Sequence, residues 1–316
     1  MTDTGPLFVS SGDLIADRRY QWALDLAARG DLAGAADLLA QTTELAPDFA
    51  AAWFTLGAVR EKLGDRDGAI AAFARAADAD PQDAQGARLQ AARLRPERSG
   101  AAPPPMSEAY VRRLFDQYAG RYDTALTEHL RYRGPDILLE AVTRVMREVS
   151  RPLRFEAMLD LGCGTGLAGA VFRPFAGRLV GIDLAPAMIA KAEAKGIYDR
   201  TAVVSFEDFL AEAALAPDRY DLVLAADAFV YVNDLTPVVA GIAKVLKSGG
   251  LLAFTAETHG GDGVKLLPTL RFAHGEAHIR AVLAAAGLTV RHLAQISVRS
   301  EKSVPVEGLV VVATAL

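Results

Sequence analysis

The stretch MLDLGCGTGLAG at residues 158–169 allows few folds. An apolar run is closed by Asp160, glycines follow at 162, 164 and 166, and a helical pattern begins at once, so the local structure is strand, tight turn, helix. Glycine reaches positive φ and lets a ligand approach the backbone closely. The spacing Gly164, Gly166, Gly169 also spells G-x-G-x-x-G, so a dinucleotide site is an open alternative at this point. Asp160 weighs against it, because a carboxylate in the turn suits a cationic amino group and sits poorly beside a pyrophosphate. The next strand ends GIDLAPAMI, where Asp183 can accept both hydroxyls of a ribose. A third acidic pair, Glu207 and Asp208, follows the third strand between Phe206 and Phe209 and can meet an adenine edge.

From Phe155 onward, strand-like and helix-like segments alternate. Strands are predicted at 156–161, 178–183, 202–205, 220–225, 250–255, 288–299 and 306–314, with helices near 166–175, 186–195, 209–215, 235–246 and 275–286. Crossover helices between strands imply a mostly parallel sheet. The SEKSVP stretch before the last strand is too short for a helical crossover, so that strand should enter antiparallel. Two further helical patterns, 107–119 and 135–149, precede the sheet and could cover a site. PERSGAAPPPM, starting at Pro96, has the prolines and lack of apolar period of a linker. The expected organisation is a helical module at 1–98, a linker at 99–106, a helical lid at 107–155 and an α/β core at 156–316.

Within the first module a period of 34 aligns Gly30 with Gly64, Asp31 with Asp65, Ala35 with Ala69 and Pro47 with Pro81. Trp53, Leu56, Gly57, Ala69, Phe73, Ala76 and Pro81 place bulky residues where helices interlock and small ones where they cross. The segment resembles the tetratricopeptide repeat (TPR), with about two and a half copies; an alanine-rich bundle is the alternative. Stacked repeats present a concave face for a peptide, a partner protein or the second domain.

LDLGCGTG, GIDLAPAM, FEDF, YDLVLAADAFVYV and LKSGGLLAFT together resemble the class I S-adenosylmethionine-dependent methyltransferases. FDQYAGRYD, RFAHGEAHIRAVLAAAGL and the attached repeats further resemble a bacterial group of TPR-containing methyltransferases. The resemblance implies a Rossmann-like sheet of order 3-2-1-4-5-7-6 with the last strand antiparallel. Its cofactor is S-adenosylmethionine and its product S-adenosylhomocysteine. By position it implies that Asp160 and Gly162 hold the methionine moiety, with Cys163, Gly164 and Gly166 in the same turn. Asp183 and Leu184 fall at the ribose, Met188 flanks the ring, and Glu207, Asp208 and Phe209 fall at the adenine. Asp227 faces the sulfonium end, and Tyr118 and Tyr122 are available from the preceding helices. Strand-end capping is the competing role for Asp160 and Asp183, and turn packing rather than nucleophilic attack is the role expected of Cys163.

The implied reaction is an in-line displacement at the methyl carbon, in which positioning carries much of the catalysis and a base is optional. Catalytic candidates are Asp227, Tyr231 and His274. Substrate candidates are Tyr231, Glu257, His259, Arg271 and His274, with Arg271 suited to a carboxylate and His274 to proton transfer. HGEAH departs from HExxH, so no metal is expected. AADAFVYV lacks the Asn/Asp-Pro-Pro-Tyr/Phe arrangement of enzymes that methylate exocyclic base or amide nitrogens. With a net charge of −5 and RYRG as the longest basic cluster, the chain is not expected to bind nucleic acid. The acceptor expected is an oxygen or nitrogen of a small metabolite. A protein, peptide or carrier-bound substrate recruited by the repeats, and a non-catalytic cofactor-binding interaction protein, are the alternatives. Cys163 is the only cysteine, and neither a signal-like start nor an 18-residue uncharged stretch is present, so no membrane and a cytoplasmic setting are expected. The oligomeric state is open.

Overall fold

The computed structural model describes residues 10–95, 102–120, 132–216, 219–297, 300–301 and 304–316. The chain divides into two compact units, Met1–Ser99 and Gly100–Leu316.

The first unit is built from helices α1 (Leu14–Ala28), α2 (Leu32–Leu45), α3 (Ala50–Lys62), α4 (Arg66–Ala79) and α5 (Ala87–Leu94). The 34-residue period has a local cause. Gly30 and Gly64 turn the chain at φ +87° and +82°. The next residue in each copy, Asp31 or Asp65, accepts the backbone N–H of Gly34 or Gly68 at 2.9 Å and so starts the following helix. Leu39, Leu56 and Phe73 fill the interior. A Cβ on Gly57 would lie 2.8 Å from the Phe73 ring, so α3 and α4 cross where only glycine fits. Gly57→Val is therefore expected to cost about 1–3 kcal/mol by overpacking. Both tryptophans of the chain, Trp22 and Trp53, lie in this unit, so their fluorescence in urea should report a lower midpoint; an unchanged midpoint contradicts the packing.

In the second unit the order is α6 (Glu108–Tyr118), α7 (Gly134–Glu148), β1 (Phe155–Leu161), α8 (Leu167–Phe172), β2 (Ala176–Asp183), α9 (Pro186–Ala194), β3 (Arg200–Val203), α10 (Phe206–Leu215), β4 (Tyr220–Ala225), α11 (Thr236–Val245) and β5 (Leu246–Glu257). It continues through β6 (Val264–Leu266), β7 (Phe272–His274), α12 (Glu276–Ala285), β8 (Leu288–Ile296), β9 (Ser300–Glu301), β10 (Val304–Pro305) and β11 (Gly308–Ala315). The seven main strands lie in the order β3-β2-β1-β4-β5-β11-β8, which is 3-2-1-4-5-7-6 by rank. The last strand, β11, runs antiparallel to both β5 and β8.

Alternation along each strand loads both faces. Met158, Leu222, Leu224, Ala253 and Val312 meet the buried side of α7, and Leu159, Leu161, Val223, Phe254 and Val311 meet residues of α10, α11 and α12. The short strands β6, β7, β9 and β10 are additions that the apolar pattern does not announce. β7 joins the sheet only through Glu257↔Ala273, so neighbouring segments rather than its own sequence create it. Among the described residues no helix is long and apolar enough to cross a membrane.

Candidate active site

The carboxyl ends of β1, β2 and β4, with the segment 105–115, enclose a cavity of about 360 Å³, a size suited to a small ligand. Gly162 and Gly164 form its floor beside Asp183 and Leu184. Ser205, Phe206 and Glu207 close one side, Asp227 and Tyr231 another, and Val111 and Phe115 of α6 the roof. A larger concavity, about 510 Å³, lies on the outer surface of α7 between Leu139 and Glu148 and has no converging strand ends.

Two features shape the turn. A Cβ on Gly162, at φ +67°, would lie 2.8 Å from Ala228 Cβ and 3.3 Å from Phe206 Cζ, so a side chain there would occupy the cradle. Asp183, 8% exposed, accepts Gly164 N–H at 3.0 Å and Ala185 N–H at 2.8 Å, which ties the end of β2 to the turn. Burial raises its carboxyl above the ordinary range, against those hydrogen bonds. Asp227 also stands at positive φ, +55°, with its N–H donating to Thr255 Oγ1 at 2.9 Å. A non-glycine residue in that conformation carries strain of about 1–3 kcal/mol, and here it lies on the cavity wall.

α6 is fastened over this site. Asp116 accepts Ala187 N–H at 3.0 Å, supplying the N-terminal cap that α9 lacks locally, and Arg112 Nε donates to the Leu184 carbonyl at 3.3 Å. Phe115 meets Tyr231 edge-to-face at 5.0 Å between ring centroids. Asn233 Nδ2 donates to the Pro103 carbonyl at 2.9 Å.

Of the residues singled out in the sequence, Gly162, Gly164, Asp183, Leu184, Glu207, Asp227 and Tyr231 line the cavity. Others lie behind it. Asp160 is fully buried; its Oδ2 accepts the Tyr198 hydroxyl at 2.7 Å and its Oδ1 has no hydrogen-bond partner. Asp208 turns back onto Ser205, accepting its hydroxyl at 2.9 Å while Ser205 Oγ accepts Asp208 N–H, a reciprocal cap at the start of α10. Glu207 is thus the acid of that pair facing the cavity. Met188 packs with Ala119 and Ala185, Phe209 belongs to the sheet core, and Gly166 lies against Tyr198. Cys163 is buried beside Ile189 and Ala192, and burial pushes its thiol well above the ordinary range, which keeps it protonated. Tyr118 is 45% exposed on α6, and Tyr122 lies outside the described residues.

The proposed substrate side is also partly internal. Glu257 pairs with Arg271 at 3.5 Å, and the Arg271 guanidinium lies 5.9 Å from the Tyr231 ring centre. His259 bonds within its own loop, to the Gly263 carbonyl and Gly261 N–H. His274 ends β7 rather than sharing a helix with His278; the two rings stack at 6.0 Å. The Phe229 carbonyl accepts from His274 Nε2 at 3.3 Å, and burial lowers the imidazole to about 4.

His274 is thus held neutral, with a folded value below the unfolded one near 6.5. Its contribution to stability is complete above that pH and is lost as pH falls toward 4. The stability advantage of wild type over His274→Gln should shrink by up to about 3 kcal/mol between pH 7 and pH 4. A pH-independent difference in urea titrations contradicts this placement.

Tyr198, Ser205, Asn233 and the α6 contacts of Arg112, Phe115 and Asp116 also shape the site, outside the residues singled out in the sequence. The S-x-x-D start of α10 was readable as a cap. Tyr198 gave no local signal, because its partners come from three other segments.

Comparison with known proteins agrees with this geometry. A family model described as a methyltransferase domain matches residues 159–254, and one described as a tetratricopeptide repeat matches residues 26–92. Aklanonic acid methyltransferase DauC from Streptomyces sp. (strain C5) is 30% identical over 165 residues, covering 50% of this chain and 70% of that protein. Malonyl-[acyl-carrier protein] O-methyltransferase from Methylovorus sp. (strain MP688) is 34% identical over 173 residues, covering 51% of this chain and 54% of that protein. A ubiquinone biosynthesis O-methyltransferase from Cereibacter sphaeroides (strain KD131 / KCTC 12085) is 33% identical over 109 residues, or 34% of this chain and 44% of that protein. The solved structure of magnesium protoporphyrin IX methyltransferase from Synechocystis PCC 6803 with bound S-adenosylhomocysteine shares the fold, at TM-score 0.50 and 16% identity over 66% of this chain and 99% of that one. The strand order, the bare glycine turn at its topological switch and the extent of the match to DauC lead to one assignment: this chain belongs to the class I S-adenosylmethionine-dependent methyltransferases and carries a tetratricopeptide-like module ahead of the catalytic unit.

Proposed function

We propose that the chain methylates an oxygen or nitrogen nucleophile of a small metabolite, with oxygen favoured, and that it belongs to the bacterial TPR-containing group. The observation that carries this reading is the cavity itself, in which acids suited to an adenosine and Tyr231, Val111 and Phe115 line one enclosed space. Two of the relatives described above are O-methyltransferases by name. S-adenosylmethionine supplies an electrophilic methyl on a sulfonium when bound. Asp183 then accepts the ribose hydroxyls, Glu207 faces the adenine edge, and Gly162 and Gly164 leave room for the methionine end. Asp227 and Tyr231 orient the acceptor, and Phe115 excludes water from above. His274 and Arg271 act through the backbone of 229–231 and the Tyr231 ring rather than as groups on the substrate.

The repeats favour a second reading, in which they recruit a protein, peptide or carrier-bound acceptor. The lone buried cysteine suits a cytoplasmic setting. The test is incubation of the full chain with methyl-labelled S-adenosylmethionine and native-host lysate, followed by fractionation. Label in low-mass organic products supports the first reading; label confined to protein supports the second and removes the first.

A further inference from the structure

Tyr198 lies in the loop between α9 and β3 and does not line the cavity. Three glycines from three pieces of chain close on its side chain. A Cβ on Gly169 in α8 would fall 2.2 Å from the Tyr198 hydroxyl, one on Gly181 in β2 would fall 2.7 Å from Cε1, and one on Gly166 in the turn 3.0 Å from Cε2. Each glycine is therefore bare where the tyrosine occupies the space that a side chain would need. The hydroxyl donates to Asp160 Oδ2 at 2.7 Å, and Cys163 packs in the same cluster.

We propose that Tyr198 is a positioning residue for cofactor binding: its ring spaces the turn 162–166 from β2 and α8, and its hydroxyl fixes Asp160 beneath that turn. The inference rests on the reading that this turn holds S-adenosylmethionine. Burial keeps the phenol protonated, so it can only donate to the carboxylate in that bond. Burial also raises Asp160 to about 6, with the Tyr198 hydrogen bond opposing the rise. The groups facing Asp160 are Tyr198, Asp183 of β2 and Cys163 of the turn, while Asp116 of α6 faces Asp183. An ionised Asp160 favours the cofactor's ammonium, so affinity should decline as pH falls through about 6.

The experiment is calorimetric titration of the full chain with S-adenosylhomocysteine from pH 5.5 to 8.5 for wild type, Tyr198→Phe, Asp160→Asn and the double variant. At pH 7.5 Tyr198→Phe should raise Kd about tenfold, as for loss of a hydrogen bond to a buried charge. Its acidic limb should move to higher pH, a change that a merely space-filling tyrosine would not produce. Asp160→Asn should lack that limb, and the phenylalanine substitution should have a smaller effect in its background. If wild type binds and Tyr198→Phe matches it in Kd and pH midpoint, the inference fails while the functional reading stands. Equal effects of the phenylalanine in both backgrounds, or a limb retained in Asp160→Asn, also overturn it. Should Tyr198→Phe not fold, the Asp160→Asn pH profile decides alone. No binding by wild type removes the functional reading itself.

Discussion

Asp183→Ala is expected to weaken S-adenosylhomocysteine binding by about a hundredfold or more in a calorimetric titration, with the fold retained. Two losses coincide. A carboxylate accepting two ribose hydroxyls makes charge-assisted hydrogen bonds, each worth about 1.5–3 kcal/mol. The same oxygens hold Gly164 N–H and Ala185 N–H, so their removal also releases the turn from β2. The strand itself is paired on both edges, by β1 and β3, which preserves the sheet. Asp183→Asn keeps one acceptor and should fall between wild type and alanine. Affinity within a factor of two of wild type for the alanine variant would remove Asp183 from the site.

Gly162→Val should abolish measurable binding by a different route. A β-branched residue at φ +67° is strained by about 1–2 kcal/mol, and its Cβ would stand 2.8 Å from Ala228 Cβ, a rigid neighbour at the exit of β4. The valine therefore either displaces the β4 exit or occupies the cradle. Gly196→Ala separates strain from obstruction: its φ is +63°, but nothing lies within 4 Å of the added Cβ. That variant should lose stability and keep its affinity. Equal binding losses in the two variants would mean that strain alone, and not the shape of the cradle, governs the site.

Much of this arrangement is legible in the amino-acid sequence, for identifiable reasons. Asp31 and Asp65 each follow a glycine at one period, and the cap they form is a local interaction. Gly162, Gly164 and Asp183 are placed by the strand-turn-helix pattern, whose geometry is also local. What escaped depends on partners distant in sequence. Asp160 can be placed in the turn from its sequence, but the hydroxyl that holds it comes from Tyr198, 38 residues away. The exception is local: the S-x-x-D cap from Ser205 engages Asp208 and leaves Glu207 to the cavity. His274 stands just before the predicted helix 275–286 with no strand signal of its own, yet β7 forms because Glu257 and Val264–Leu266 pair with it. Arg271 looks like a free cation and is already engaged by Glu257.

A crystal structure of the full chain with S-adenosylhomocysteine is the most direct test. The account predicts the ribose hydroxyls at Asp183, the adenine between Phe206 and Glu207, and the sulfur facing Asp227 and Tyr231 beneath Phe115. The product bound elsewhere, or with its adenosine turned away from Asp183, would contradict the assignment of this cavity as the methyl-transfer site.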